Sequence, residues 1–242
     1  MVNLNEILKN YKGEKILMTV FPHPDDEAMA TGGLILVAKS LGWKVVTVTL
    51  TYGEAGKIYV NGSGKSVREI RKYEFKKALE ILKVDCYDQG DFGDAKLKAN
   101  IAEWSEWLEM VIKRYQPSLV VTYDHTGFTG HPDHIVLSVE LKKVISEKFP
   151  EIGLFWSVVP KYLKRVIGDA YLSDYEVEPD NLLDLGHLWF TKWRAAKAYK
   201  SQKLGKSFPV FLFIFFLFYH FEWYHKVSLS IKYKYKFIDF VI

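Results

Sequence analysis

The chain contains 242 residues, of which 49% are hydrophobic and 26% are charged. This composition is typical of a folded protein with a full core, and it excludes disordered, collagen-like and coiled-coil classes. The single cysteine, Cys86, excludes a disulfide framework and a cysteine-rich metal site. The 33 basic and 29 acidic residues leave a net charge of +4, which is too small and too mixed to predict a nucleic-acid partner.

Short apolar segments alternate along the chain with longer segments of helical periodicity. The apolar segments predict strands at 16–21, 45–50, 119–123 and 154–159. The periodic segments predict helices at 28–41, 67–82, 96–115, 133–149 and 191–204. This alternation predicts an α/β fold in which helices cover both faces of a mostly parallel sheet. Ligands of such sheets bind beyond the carboxyl ends of the strands, which directs attention to the residues that follow each strand.

The first predicted strand is followed by His23-Pro24-Asp25-Asp26-Glu27, which supplies one imidazole and three carboxylates. Pro24 bends the chain, so His23 and Asp26 can converge on one point. Imidazole nitrogen and carboxylate oxygen are a suitable ligand pair for Zn²⁺ or another divalent metal. Asp25 would then lie beside the metal, where a base acting on a metal-bound water is needed. The alternative interpretation is a capped helix preceded by a loop histidine.

A second cluster, His131-Pro132-Asp133-His134, follows the third predicted strand and the loop 124–130. His134 is placed to provide a third metal ligand, and His131 can face the same pocket. Asp133 can orient His131 by a hydrogen bond and raise its pKa. A helix that starts with proline and is capped by aspartate would produce the same pattern without a site. The two clusters together favour a catalytic metal, because they provide three ligands and leave one position open.

Residues 53–66 contain four glycines and are predicted to form a loop. The sequence GSGKS at 62–66 matches the end of a phosphate-binding loop, but Tyr59 occupies the position of the earlier glycine of that motif. That motif should also follow a buried strand directly, whereas residues 53–60 are already predicted to be loop. Nucleotide binding is therefore not expected, and we interpret the loop as a lid over the active site.

The two clusters and the TGG sequence at 31–33 resemble the motifs of the LmbE-like or PIG-L family of zinc-dependent de-N-acetylases. Arg71, Glu74 and Ala78 also resemble the Arg-x-x-Glu-x-x-x-Ala helix of that family. The late His-x-Ser-Gln sequence of the family has Tyr199 in place of the histidine. No substrate role is therefore carried over to that position.

The resemblance covers residues 14–140 and implies a Rossmann-like three-layer sandwich. It implies removal of acetyl groups from N-acetylglucosamine-type sugars. Carried over by position, it implies three zinc ligands: His23, Asp26 and His134. It also implies that Asp25 is the general base and that His131 stabilises the oxyanion, with support from Asp133.

These observations together predict a metal-dependent hydrolase that removes the N-acetyl group from an N-acetylglucosamine-type sugar or conjugate. The resemblance implies small amino-sugar substrates, namely chitooligosaccharides, thiol precursors or inositol conjugates, and it implies Arg71 and Asp94 as substrate contacts. Zn²⁺ is the expected cofactor, although the ligands also suit other divalent metals. Two alternatives stay open. One is a metal-dependent phosphoesterase, which usually needs two metals; the other is a non-catalytic sugar-binding protein on the same scaffold.

The composition changes after residue 207, since the last 35 residues include 14 aromatic residues. We therefore divide the chain into an LmbE-like domain, 1–207, and an aromatic-rich segment, 208–242. This segment has three interpretations: closing strands of the core or an interface between copies of the chain, a membrane-surface anchor, or an ending produced by an altered reading frame. The first ten residues lack the pattern of a signal peptide, so a cytoplasmic protein is expected.

Overall fold

One mixed sheet organises the computed structural model, which describes residues 1–59, 64–161, 177–202 and 220–230. Within these residues the chain contributes eight strands: β1 (Val2–Asn3), β2 (Ile16–Phe21), β3 (Lys44–Thr49), β4 (Cys86–Gln89), β5 (Leu119–Tyr123), β6 (Gly153–Val158), β7 (Asn181–Asp184) and β8 (Phe221–Lys226). Their order across the sheet is β1-β7-β8-β6-β5-β2-β3-β4. The strands from β6 to β4 in that order are mutually parallel, whereas β8 is antiparallel to both of its neighbours. The carboxyl ends of the parallel strands therefore meet at one edge of the sheet.

Helices pack on both faces of this sheet. In the described residues they are α1 (Leu4–Asn10), α2 (Asp26–Ala30), α3 (Gly32–Ser40), α4 (Val67–Leu82), α5 (Ile101–Tyr115), α6 (Gly127–Gly130), α7 (Pro132–Lys148) and α8 (Trp189–Ala196). One apolar core lies between the sheet and α3, α4 and α8, and the other lies beneath α5 and α7. Neighbouring residues of β2 face opposite cores, with Leu17 in the first and Met18 in the second. The predicted three-layer α/β sandwich is confirmed.

The predicted bounds of β2, β5 and α4 agree with the structure. The start of α4 is fixed by a capping box, in which Ser66 and Glu69 satisfy each other's backbone N–H groups. The single helix predicted at 28–41 is instead divided into α2 and α3 at Thr31, which has non-helical backbone angles. The helix predicted at 191–204 begins earlier and ends at Ala196, and a separate 3₁₀ turn follows at Lys200–Gln202.

The described parts of the predicted loop, residues 53–59 and 64–66, contain neither helix nor strand, as expected. The rest of that loop, 60–63, and two parts of the aromatic segment, 208–219 and 231–242, lie outside the described residues. Among the helices that the structure does describe, none is both long enough and apolar enough to cross a membrane.

The aromatic-rich segment provides β8, which lies inside the sheet between β7 and β6. Glu222 of this strand is buried, and its carboxylate accepts hydrogen bonds from the backbone N–H groups of Gly33 (2.7 Å) and Leu34 (2.8 Å). The ammonium group of Lys192 lies 2.7 Å from Glu222, and the hydroxyl of Tyr224 donates to it at 2.5 Å. Glu222 therefore satisfies the unpaired N–H groups at the start of α3 and attaches β8 to the rest of the fold.

The Glu222→Gln variant is expected to lower the free energy of unfolding by about 3 kcal/mol, because a neutral amide leaves buried donors and a buried cation poorly compensated. Urea denaturation followed by circular dichroism measures this change. The control is Asp91→Asn, which removes an exposed ion pair with Arg68 and should change stability little. Equal stability of the two variants would contradict the role of the Glu222 carboxylate in attaching β8 to α3.

Candidate metal centre

The predicted site residues meet in a cavity of about 390 Å³. Seven of the eight line it: His23, Asp25, Asp26, Arg71, Asp94, His131 and His134. The eighth, Asp133, is buried, and its carboxylate lies 3.2 Å from the ring of His23. Two sequence segments separated by more than one hundred residues therefore form one site, because β2 and β5 are neighbours in the sheet.

Three atoms of the predicted ligands form a nearly equilateral triangle. His23 Nδ1 lies 3.3 Å from His134 Nε2, and Asp26 Oδ2 lies 3.5 Å from each of these nitrogens. A tetrahedral metal with ligand distances of ~2.0–2.1 Å separates its ligand atoms by about 3.3–3.4 Å. The residues present therefore fit a divalent metal, with two imidazoles and one carboxylate as ligands.

Hydrogen bonds orient His134 and Asp26 towards this triangle. His134 Nδ1 lies 3.0 Å from the carbonyl oxygen of Gly127, which can only accept, so Nδ1 bears the hydrogen and Nε2 presents its lone pair. Tyr123 stacks on the His134 ring and donates its hydroxyl to Asp26 Oδ1 at 3.0 Å. Burial alone would raise the pKa of Asp26, but the neighbouring His134 and His23 hold that pKa below its ordinary range. Asp26 is therefore ionised, as a metal ligand must be.

The second nitrogen of His23 faces two carboxylates. Its Nε2 lies 2.9 Å from Asp94 Oδ1 and 3.2 Å from Asp133 Oδ2. These contacts favour a hydrogen on Nε2 and a lone pair on Nδ1, which is the arrangement of a metal-binding histidine held by carboxylates. Burial lowers the pKa of His23, but hydrogen bonds to Asp133, Asp26 and Asp94 outweigh burial and raise it well above its ordinary value. The carboxylates around His23 therefore favour the positively charged form of its ring.

Asp25 lies at the start of α2 with a φ of 102°, in the left-handed region that is unfavourable for residues other than glycine. The guanidinium of Arg71 donates to Asp25 Oδ2 at 2.8 Å and also to the carbonyl oxygens of Gly53 and Pro24. Burial raises the pKa of Asp25 to about 7, although the charge of Arg71 opposes this shift. A carboxyl group that titrates near neutral pH is suited to accept and return a proton.

His131 precedes α7, and its Nδ1 accepts a hydrogen bond from the backbone N–H of Asp133 at 3.2 Å. The Asp133 carboxylate instead lies against His23 and accepts the backbone N–H of Ala95 at 2.8 Å. The charge of Asp133 raises the pKa of His131, as expected, but burial and the neighbouring His23 outweigh it and lower that pKa overall. With Nδ1 accepting, the ring hydrogen of neutral His131 lies on Nε2.

Two tyrosines near the site were not singled out from the sequence as site residues. Tyr123, the last residue of β5, holds Asp26. Tyr199 follows α8 and donates its hydroxyl to Glu27 at 2.5 Å. The position of Tyr123 at the carboxyl end of a strand is a signal that could have identified it, whereas the contact of Tyr199 spans 172 positions of sequence.

Solved structures of known proteins share this fold. N,N'-diacetylchitobiose deacetylase from Pyrococcus horikoshii superposes with a TM-score of 0.71 at 19% identity, over 93% of this chain and 92% of the other. The 4-carboxy-2-hydroxymuconate hydratase GalB from Pseudomonas putida superposes with a TM-score of 0.65 at 19% identity, over 91% of this chain and 99% of the other. Since deacetylases and a hydratase share the architecture, the fold alone does not identify the reaction.

Sequence relatives include the 1D-myo-inositol 2-acetamido-2-deoxy-alpha-D-glucopyranoside deacetylase of Corynebacterium diphtheriae. It is 31% identical over 60% of this chain, which spans 56% of the relative's length. The probable N-acetyl-alpha-D-glucosaminyl L-malate deacetylase 2 of Bacillus cereus is 28% identical over 78% of this chain and 84% of its own length. Residues 18–145, more than half of the chain, match the family model described as PIG-L, GlcNAc-PI de-N-acetylase. The chain belongs to the PIG-L family.

Proposed function

We propose that the chain is a metal-dependent hydrolase that removes the N-acetyl group from an N-acetylglucosamine-type sugar or conjugate. The observation on which this proposal depends is the triangle of His23, Asp26 and His134 in the same cavity as Asp25, a partly buried carboxyl whose pKa is raised to about 7. The named activities of the sequence relatives support the same reaction class. The substrate conjugate is proposed to be of the inositol, malate or chitooligosaccharide kind.

Zn²⁺ is the proposed metal, with His23 Nδ1, Asp26 Oδ2 and His134 Nε2 as its ligands. Two imidazoles and one carboxylate form a ligand set that catalytic zinc sites use. When bound, the metal supplies Lewis acidity, which polarises the amide carbonyl and lowers the pKa of water. The orientation of all three ligands by Tyr123, Gly127 and the carboxylates behind His23 supports this assignment.

Asp25 is proposed to accept the proton of the attacking water. Arg71 holds Oδ2 of Asp25, so the other oxygen, Oδ1, is the proposed acceptor. His131 is proposed to donate its Nε2 hydrogen to the oxygen that becomes negatively charged as the acetamide carbonyl is attacked. Asp133 supports that orientation of His131 through its backbone N–H. Asp25 then returns the proton to the departing amine, so that acetate and a free amino sugar result.

Arg71 and Asp94 border the cavity, and we propose that they also contact the hydroxyl groups of the sugar. The division of the chain at residue 207 and a cytoplasmic location stay predictions from the sequence. Self-association through the aromatic segment is likewise a prediction.

Release of acetate from a panel of N-acetylglucosamine compounds tests the proposal. The panel contains the free sugar, chitooligosaccharides, a malate conjugate and an inositol conjugate. Each compound is assayed with and without chelator and with added Zn²⁺. We expect release from at least one compound, loss of that release with chelator, and recovery with Zn²⁺. A metal-loaded protein that releases no acetate but hydrolyses a phosphate ester would contradict the proposal.

A further inference from the structure

Tyr199, Glu27 and Asp25 are connected by two hydrogen bonds. The hydroxyl of Tyr199 donates to Glu27 Oε1 at 2.5 Å, and Glu27 Oε2 accepts the backbone N–H of Asp25 at 3.0 Å. Tyr199 is 1% exposed and Glu27 is 0% exposed. A carboxyl group without access to water requires hydrogen-bond partners from the protein, so the hydroxyl of Tyr199 helps to determine where Glu27 can lie.

The backbone of Asp25 requires such support. Its φ of 102° is strained for a residue with a side chain, and strained residues persist only where their surroundings fix them. Arg71 fixes the side chain of Asp25, and Glu27 fixes its backbone N–H. Loss of the second contact would allow Asp25 to relax away from its position in the cavity.

The segment that contains Tyr199 is itself fixed to α4. Ser201, two residues later, donates its backbone N–H and its hydroxyl to the buried carboxylate of Glu74, at 2.8 Å and 2.6 Å. The carbonyl oxygen of Ser201 accepts the backbone N–H of Tyr59 at 2.9 Å. Tyr199 is therefore held from two sides and has little freedom to follow Glu27 if that residue moves.

We propose that Tyr199 is a positioning residue, which acts through Glu27 to hold the backbone of Asp25 in its strained conformation. Neither Tyr199 nor Glu27 is among the described residues that line the cavity, so we expect both to act without touching substrate. This inference rests on the proposed function, in which Asp25 is the base. It assigns a role to a hydroxyl that lies outside both sequence clusters.

Two tyrosine-to-phenylalanine variants provide a matched comparison. Tyr199→Phe removes the hydroxyl that binds Glu27, and Tyr224→Phe removes a hydroxyl that donates at the same 2.5 Å to another buried carboxylate, Glu222. Tyr224 is 0% exposed and is not among the described residues that line the cavity. Both variants lose a short buried hydrogen bond of the same kind, and Tyr224→Phe also loses a longer one, of 3.4 Å, to the carbonyl oxygen of Ala30. Only Tyr199→Phe breaks the connection to Asp25.

We expect Tyr199→Phe to lower kcat by about 10- to 100-fold, with an unchanged KM and an unchanged metal content. Tyr224→Phe should leave kcat and KM as in the wild type. Glu27→Met, which can bond neither Tyr199 nor the backbone N–H of Asp25, should act like Tyr199→Phe, and the double variant should lose little more, because both changes break one connection. A wild-type kcat in Tyr199→Phe, or an equal loss of kcat in Tyr224→Phe, would overturn the inference.

Amide hydrogen exchange of residues 22–27 provides a readout that does not depend on activity. Tyr199→Phe should increase exchange in this peptide, and Tyr224→Phe should not. If the wild-type protein released no acetate, the proposed function would fail, and exchange alone would decide this inference. Faster exchange in Tyr199→Phe would then support the connection, and equal exchange in the two variants would overturn it.

Discussion

Replacement of Asp25 by asparagine is expected to lower kcat by about three orders of magnitude while the metal stays bound. Asparagine tolerates a positive φ almost as well as aspartate, so it can adopt the backbone angle of 102° at this position. Its amide oxygen can still accept the hydrogen bond from Arg71. The variant therefore removes the ability to accept a proton and preserves the surroundings. Steady-state kinetics of acetate release and elemental analysis of the bound metal measure the two effects.

Asp25→Gly is the matched control for this variant. Glycine also removes the carboxylate, but it relieves the backbone strain, so this protein should be inactive and more stable than Asp25→Asn. Asp91→Asn, an exposed change of the same chemical kind, should retain wild-type kcat. If Asp25→Asn kept the wild-type kcat, Asp25 would not be the base. If it lost the metal, its loss of activity would have another cause.

The sequence predicts the central layers of the fold well, because their signals are local. β2 and β5 are mostly apolar runs, each with one threonine, that are buried on both faces, and α4 has an amphipathic pattern with a capping box. β8 has the sequence FEWYHK, in which a buried glutamate interrupts the apolar pattern. β4 has the sequence CYDQ and lies at the edge of the sheet, where half-exposed polar residues weaken the signal for a strand. Such strands are determined by tertiary contacts that sequence periodicity does not contain.

In the candidate site too, the sequence predicts what short local motifs determine, but it does not predict contacts that depend on the folded structure. The convergence of His23, Asp26 and His134 could be predicted, because short motifs that follow neighbouring parallel strands must meet. The partner of the Asp133 carboxylate could not be predicted. Its nearness in sequence suggests His131, but the start of α7 turns this carboxylate towards His23. The contact between Tyr199 and Glu27 joins distant parts of the chain, and only the folded structure reveals it.

Removal of one metal ligand is expected to have the second large effect, on metal affinity. His134→Ala deletes one corner of the triangle and leaves two of the three proposed ligands, His23 and Asp26. We expect the affinity for Zn²⁺ to fall by more than the ~10–100-fold that loss of an outer partner of a ligand costs. Chelator competition measures this affinity directly. Thermal unfolding provides a second measurement, because Zn²⁺ at about 100 times its Kd stabilises a protein that binds it only when folded by ~2.7 kcal/mol.

The Zn²⁺ affinity of His134→Ala is best compared with that of Asp133→Asn. Asp133→Asn keeps all three proposed ligands and weakens the contact behind His23, together with the hydrogen bonds that the Asp133 carboxylate accepts from the backbone N–H groups of Ala95 and Leu97. Its affinity for Zn²⁺ should therefore fall by about 10–100-fold, less than in His134→Ala. The order of stabilisation by Zn²⁺ should therefore be wild type, Asp133→Asn and His134→Ala. Equal stabilisation of the wild type and His134→Ala would mean that the metal binds elsewhere. Equal loss in the two variants would mean that Asp133 holds the metal directly rather than through His23.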